Sequence, residues 1–117
     1  MDRRYDFGRR GEEKAVAYLE KAGYIVLERN WRIGHKEIDI LCTDGDLLIV
    51  VEVKTRKEET EYPWELLDEK KRRNLRQAAG AYIRRNKLEK EVRFDLILVT
   101  GSDFDIRHIP DFMLIFD

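Results

Sequence analysis

The sequence is poor in the residues that cross-link, kink or loosen a chain. It has one cysteine, two prolines and seven glycines among 117 residues. A single cysteine excludes an internal disulfide, and no closely spaced histidine completes a zinc site around it. The scarcity of proline and glycine argues against a disordered chain. We therefore expect Cys42 to pack in the core of a folded domain.

Long apolar runs are also missing. The longest one, Leu47 to Val51, is far shorter than the ~20 residues that span a bilayer. The start, MDRRYDFGRRGEEK, has no apolar segment typical of a signal peptide. We therefore expect a cytoplasmic protein without membrane contact. The length corresponds to about one domain, so residues 1–117 are expected to form a single domain.

Charge is abundant but unevenly distributed. Charged residues make up 40% of the chain, at a net charge of −1. The segment from Lys70 to Lys90 nevertheless contains nine basic residues and a single acid. A concentrated basic face attracts phosphates whatever the total charge is, because salt screens distant charges. Nucleic acid is therefore a candidate partner, although a solvated helix surface has the same composition.

Hydrophobic spacing predicts the order of the elements. Helical periods predict one helix over 7–22 and a second one whose apolar stripe runs from Leu75 to Ile83. Between them, β-rich runs predict a strand near 24–31 and a hairpin, and VRFDLILVT predicts a strand buried on both faces. This order predicts an α/β sandwich whose mixed central sheet is flanked by two main helices. The fourth strand should run parallel to the third.

The hairpin KEIDILCTDGDLLIVVEVK carries charges that are costly to bury. Side chains alternate along a strand, so Glu52 and Lys54 share one face. A two-residue turn at Asp44-Gly45 would place Asp39 opposite Val50 and on that same face. A three-residue loop would turn Asp39 away, unless a bulge restores it.

Acids and a lysine so placed suit metal-dependent hydrolysis of phosphodiesters. Glu12 shares the core-facing stripe of the first helix, where it either interacts with the helix dipole or joins Asp39 and Glu52. Carboxylates from two strands and a helix can surround Mg²⁺ or Mn²⁺. Lys54 can orient the attacking water or stabilise negative charge on the phosphate. A glycosidase pair is disfavoured because the lysine keeps a neighbouring carboxylate ionised, and a structural salt bridge would leave excess buried negative charge.

These motifs resemble those of known proteins. EID, followed after a short hairpin by EVK, is similar to the signature of the PD-(D/E)XK nuclease superfamily, with Ile38 where the signature has proline. GRRGEEKAVAYLEKAGYIVLERNWR, VVEVKTR, KKRRNLRQAAGAYI and RFDLILV resemble the YraN-like family of small bacterial proteins. The resemblance implies a restriction-endonuclease-like α/β/α sandwich, near the archaeal Holliday-junction resolvases. A homodimer would suit the two-fold symmetry of a four-way junction.

The same resemblance implies roles for particular residues. Glu12, Asp39 and Glu52 correspond to metal ligands for Mg²⁺ or Mn²⁺, and Lys54 to the catalytic lysine. The implied activity is hydrolysis of DNA phosphodiester bonds by an endonuclease. The alternative is a catalytically idle nucleic-acid-binding module on the same fold. The basic residues expected to contact nucleic acid are Lys71, Arg72, Arg76, Arg9, Arg10 and Arg56.

A first prediction concerns the metal. Because Mg²⁺ prefers carboxylate oxygens, Mg²⁺ or Mn²⁺ should bind between Asp39 and Glu52. Calorimetric titration of the wild type should give a binding heat that is absent in Asp39→Ala. Equal heats for the two proteins would exclude this site.

Overall fold

The structure, a computed structural model, describes residues 3–114. It contains a five-stranded sheet with a helix on each face, which confirms the expected α/β sandwich. No helix among the described residues is long and apolar enough to cross a membrane. In chain order the elements are α1 Arg3–Lys21, β1 Ile25–Ile33, β2 Lys36–Asp44, β3 Leu47–Arg56, a short 3-10 helix Pro63–Leu66, α2 Glu69–Asn86, β4 Glu91–Thr100 and β5 Asp105–Met113.

The strands lie in chain order, β1-β2-β3-β4-β5, so β3 is the central strand. All neighbours are antiparallel except β3 and β4, which are parallel as expected and are joined by the crossover through α2. β4 is second from one edge, and every residue from Phe94 to Thr100 is buried. A strand covered on both faces reads as a continuous apolar run, which explains why its pattern was recognisable.

Two separate cores lie on opposite faces of the sheet. Leu48 and Val50 of β3 pack with the apolar stripe of α2. Ile49 and Val51, which alternate with them, pack with α1. Cys42 is fully buried on the α1 side, as predicted.

Helix α1 begins at Arg3, four residues before the predicted start at position 7. The difference has a simple cause. The extra turn is polar, so the hydrophobic period on which the prediction depended does not reach it. The consequence is that basic side chains near the start of the chain are held on a helix, close to the end of β3.

The turn between β2 and β3 differs from the predicted one by a single residue. Asp44 pairs with Leu47, so the two-residue loop is Gly45-Asp46 and not Asp44-Gly45. Gly45 has a φ of 60°, whereas neither aspartate has a positive φ. Type II′ hairpin turns have glycine with a positive φ at their first central position. Glycine is needed there because other residues adopt such a φ at a cost.

A buried ion cluster on β4 holds the α1 side of the sheet together. The carboxylate of Asp95 is fully buried and accepts two hydrogen bonds of 2.8 Å from the Arg93 guanidinium. It also contacts His108 Nε2 at 2.7 Å and accepts a bond of 3.0 Å from the Asp111 amide. Asp95 therefore has a structural role that joins β4 and β5.

Replacing Asp95 should destabilise the fold in a pH-dependent way. Burial alone would raise the pKa of Asp95, but the hydrogen bonds from His108, Arg93 and Asp111 outweigh it and lower the pKa. The resulting stability is present above the ordinary pKa of 3.8 and is lost as pH falls through the lower folded value. At about pH 7 we expect Asp95→Asn to lose about 3 kcal/mol in urea unfolding, because Arg93 loses its charged partner.

The exposed Asp105 provides the control. Asp105→Asn should change stability by no more than about 0.5 kcal/mol. If Asp95→Asn is as stable as this control at neutral pH, the cluster does not have the proposed structural role.

Candidate functional site

An open cleft of about 650 Å³ lies at the end of β3, between the two helices. Its wall includes the four residues predicted as metal ligands or catalytic lysine, Glu12, Asp39, Glu52 and Lys54, and two predicted nucleic-acid contacts, Lys71 and Arg56. They come from α1, β2, β3 and α2, so only the tertiary structure brings them together.

Asp39 lies where β2 and β3 stop pairing. The last pair of the ladder is Ile40 with Val51. Beyond it, the Val53 amide donates a hydrogen bond of 2.8 Å to Asp39 Oδ2 instead of to a backbone carbonyl. The Asp39 carboxyl also contacts that of Glu52. The predicted position of Asp39 opposite Val50 is therefore wrong by two residues, because the turn is shifted by one.

Strict alternation fails around Asp39. Ile38 packs in the core on the α2 side, whereas Ile40, two residues later, packs in the core on the α1 side. Side chains two residues apart point the same way in a regular strand, so β2 is irregular between them. This irregularity lets Asp39 reach into the gap between β2 and β3.

Glu12 approaches the gap from α1. The preceding residue, Gly11, is buried against Thr55 of β3, and a Cβ on Gly11 would overlap the Thr55 side chain. Only glycine therefore permits this close approach of helix and strand. Burial, followed by the charge of Asp39, raises the pKa of Glu12 to about 7. Glu12 Oε1 is buried without a hydrogen-bond partner.

Asn30 belongs to the site but was missed in the sequence. A hydrogen bond from its side chain to Glu12 acts to lower the pKa of that acid. Its backbone is left-handed, with a φ of 51° within β1. Asparagine tolerates this conformation better than most residues, and an asparagine inside a β-rich run was the available signal.

Glu52, Lys54 and Lys71 form the α2 side of the cleft. Burial, then the hydrogen bond and charge of Asp39, raise the pKa of Glu52 to about 9, while Lys54 and Lys71 act in the opposite direction. The expectation that Lys54 keeps this carboxylate ionised is therefore wrong for the metal-free protein, because burial outweighs the charge of the lysine. Burial also lowers the pKa of Lys54, against the charge of Glu52. Lys71 is close enough to hydrogen-bond with Lys54. Two acids and two bases are therefore held together at the cost of desolvation.

The acids suit a divalent cation that keeps most of its water. Among residues 3–114, no three His, Cys, Asp or Glu side chains are grouped so as to hold a metal ion together. Mg²⁺, however, is commonly bound through one or two carboxylates plus water. Asp39 and Glu52 provide such a pair, and the unpartnered Glu12 oxygen lies beside it. A cation would also offset the burial of Glu52 and its repulsion by Asp39, both of which raise the pKa of Glu52.

The basic residues of α2 differ in their availability. Lys71 lines the cleft and is exposed. Arg72 donates hydrogen bonds to the carbonyls of Trp64 and Leu67 and lies over the ring of Phe112. The side chain of Arg76 is only 12% exposed and pairs with Glu69 at 2.8 Å. Both arginines are thus engaged within the fold.

The other predicted contacts come from α1 and β3. Arg56 lines the cleft and donates a hydrogen bond to the carbonyl of Thr55. Arg10 lies over the ring of Phe104, 4.9 Å from its centroid. Arg9 is exposed and lies 3.8 Å from Glu13, the distance of a weak surface pair.

The fold and its cleft define a small α/β protein with a carboxylate-lysine site at an opening in its sheet. The chain belongs to the family described as Uncharacterised protein family UPF0102, whose model matches residues 11–99. This match confirms the resemblance to the YraN-like family. It starts at Gly11, the glycine that contacts Thr55, and includes Glu12, Asp39, Glu52, Lys54 and Lys71.

Similar proteins occur in several bacteria. A UPF0102 protein of Parabacteroides distasonis is 46% identical over 95% of this chain and 94% of its own length. One from Phocaeicola vulgatus is 42% identical over 91% of this chain and 90% of its own. One from Nitratidesulfovibrio vulgaris is 38% identical over 95% of this chain and 86% of its own. Their names state the family and no activity.

Removing the charge of Glu52 should stabilise the metal-free protein. The pKa of Glu52 is raised from 4.5 to about 9, so between these values the folded state retains a proton that the unfolded state releases. Stability should therefore fall as pH rises across this range. In EDTA at about pH 8, Glu52→Gln should be at least about 1 kcal/mol more stable than wild type.

Urea unfolding at about pH 5 and pH 8 measures this difference. The difference in the free energy of unfolding between the two proteins should be smaller at about pH 5. At that pH a larger fraction of Glu52 is protonated in both the folded and the unfolded state. A variant that is no more stable than wild type at the higher pH would contradict the assigned burial of this charge.

Proposed function

We propose that this protein is a metal-dependent endonuclease that hydrolyses phosphodiester bonds of DNA. One observation carries the proposal: Asp39, Glu52 and Lys54 converge in a single open cleft that also contains Lys71 and Arg56. Paired acids suit a divalent cation, and surrounding basic groups attract a phosphate backbone. A structural salt bridge would not need an open cleft or a second carboxylate.

Asp39 and Glu52 would hold Mg²⁺ or Mn²⁺, with the carboxylate of Glu12 beside them. When bound, such an ion provides a Lewis acid for the phosphate and offsets the negative charge of the acids. The bond from the Val53 amide keeps Asp39 in place for this task. This hydrogen bond therefore positions one carboxylate of the ligand pair in the metal-free protein.

Lys54 and Lys71 act on the phosphate. Lys54 holds the attacking water next to the phosphorus and donates to the phosphate oxygens as negative charge gathers on them. Lys71 adds a second positive charge on the same side. The water oxygen bonds to phosphorus, the bond from phosphorus to one sugar oxygen breaks, the water gives its proton to solvent and the departing oxygen takes one.

The resemblance to the PD-(D/E)XK superfamily supports the same reaction. Its motif Asp and its (D/E)XK sequence fall on Asp39 and on Glu52 to Lys54, the residues that the fold brings together. Its junction resolvases make branched DNA the first substrate to test. A four-way junction has two-fold symmetry and suits a homodimer, so a strictly monomeric protein would argue against resolution of junctions.

One observation favours the alternative of an idle nucleic-acid-binding module. The described acids form no group of three that could hold a metal by themselves. A fold that kept its basic cleft but lost efficient metal binding would still bind nucleic acid. Both hypotheses predict salt-dependent binding, so only cleavage separates them.

The decisive experiment is incubation of the wild type with duplex, nicked, flapped and four-way DNA in Mg²⁺ or Mn²⁺. We expect cleavage of at least one substrate, and a loss of about 100-fold or more in Lys54→Ala, because the variant lacks the charge that stabilises the transition state. Products resolved on denaturing gels provide the measurement.

Lys14→Ala is the matched control, since Lys14 is exposed on α1 and does not line the cleft. It should cleave as wild type does. If no substrate is cut, or if Lys54→Ala cuts as well as this control, the nuclease proposal is wrong and the binding-module hypothesis is favoured.

A further inference from the structure

A second cavity, of about 450 Å³, adjoins the cleft. We call it the basic pocket and define it by its lining residues. Three of them, Arg4, Phe7 and Lys57, also line the cleft, so the two cavities are neighbours with shared wall residues. The full lining is Arg3, Arg4, Asp6, Phe7, Arg10 and Lys57.

Most residues around the basic pocket carry a positive charge, and the surface that they line it with is largely apolar. Among the described residues that line it, four are basic and one, Asp6, is acidic. The positive charges come from two separate segments, since Lys57 follows β3 and the arginines belong to α1. Cations that converge from separate segments on a concave surface produce a local potential suited to a phosphate.

The pocket also has an apolar wall. The ring of Phe7 lies 5.5 Å from that of Phe104, centroid to centroid, and Arg10 lies over the Phe104 ring. These ring contacts hold Arg10 at the pocket. Positive charge beside an aromatic ring suits a nucleotide better than a small inorganic anion, because sugar and base can cover the ring.

We propose that the basic pocket binds a phosphate of the same nucleic-acid strand whose backbone lies in the cleft. This inference rests on the proposed function, because the cleft must hold the phosphate that is attacked. The strand then leaves the cleft over the first turns of α1. On α2, Arg72 and Arg76 are engaged within the fold, whereas Lys70 and Arg73 are exposed but do not line the cleft.

The test compares two double variants in binding to a fluorescent single-stranded DNA, with Ca²⁺ in place of Mg²⁺. Arg3→Ala with Arg10→Ala removes two exposed cations of the pocket that do not line the cleft. Lys14→Ala with Lys21→Ala removes two exposed cations from α1 outside it. We expect the pocket variant to bind about tenfold more weakly and to lower the salt slope by about 0.7 for each phosphate that it no longer neutralises. The control should bind as wild type does.

A scan of the DNA with single neutral methylphosphonate linkages locates the phosphate that the pocket binds. At one position the neutral linkage should weaken binding by wild type but have no further effect on the pocket variant, the non-additivity expected of direct partners. If both variants bind equally, if no linkage shows this coupling, or if wild type does not bind the DNA, the inference is wrong.

The two proposals fail in different ways. Cleavage by wild type together with equal binding by both variants overturns the pocket but not the nuclease. Coupled weakening of binding in the pocket variant without any cleavage supports the pocket and overturns the nuclease. Circular dichroism and thermal melts, which both variants should share with wild type, establish that the exposed substitutions leave the fold intact.

Discussion

The hydrogen bond between the Val53 amide and the Asp39 carboxylate, 2.8 Å long, is the interaction on which the site depends. A buried amide that loses its partner costs about 1–3 kcal/mol. When β2 and β3 stop pairing after Ile40 and Val51, a side chain must therefore satisfy the next amide. Asp39 does so, and the same bond holds its carboxylate beside Glu52. The end of the pairing between β2 and β3 therefore explains both the opening in the sheet and the position of the Asp39 carboxylate beside Glu52.

The buried acids of this site destabilise the fold when no cation is bound. Burial raises the pKa of both Glu12 and Glu52, so ionising either one in the absence of a cation is unfavourable. Strongly perturbed acids in a cleft are typical of functional sites. The surrounding structure offsets this cost with two apolar cores and with the saturated ion cluster around Asp95. Both carboxylate oxygens of Asp95 therefore have hydrogen-bond partners, whereas Glu12 Oε1 has none.

The distribution of charge in the sequence differs from its distribution in space. The basic segment of α2 is the most conspicuous feature of the composition, yet Arg72 and Arg76 bond to the protein itself. The basic residues around the cleft and the basic pocket are instead Lys71 of α2, arginines of the first turns of α1, and basic residues at and just after the end of β3. Linear charge counts cannot distinguish a cation that faces solvent from one that holds a loop, because that depends on which backbone carbonyls lie nearby.

The sequence alone determined the order of helices and strands from α1 to β4, the parallel pair of β3 and β4, the burial of Cys42 and the residue types of the cleft. Each of these follows from local periodicity or from chain connectivity, both of which a sequence contains. The tertiary structure decided the position of the Gly45-Asp46 turn, the irregularity at Asp39 and the contribution of Asn30. These depend on single-residue shifts of register and on backbone conformations that alternation does not encode. Asp39 nevertheless lies on the predicted face of the strand. Moving a two-residue loop by one position changes the partner of Asp39 on β3 by two residues, and residues two positions apart share a face.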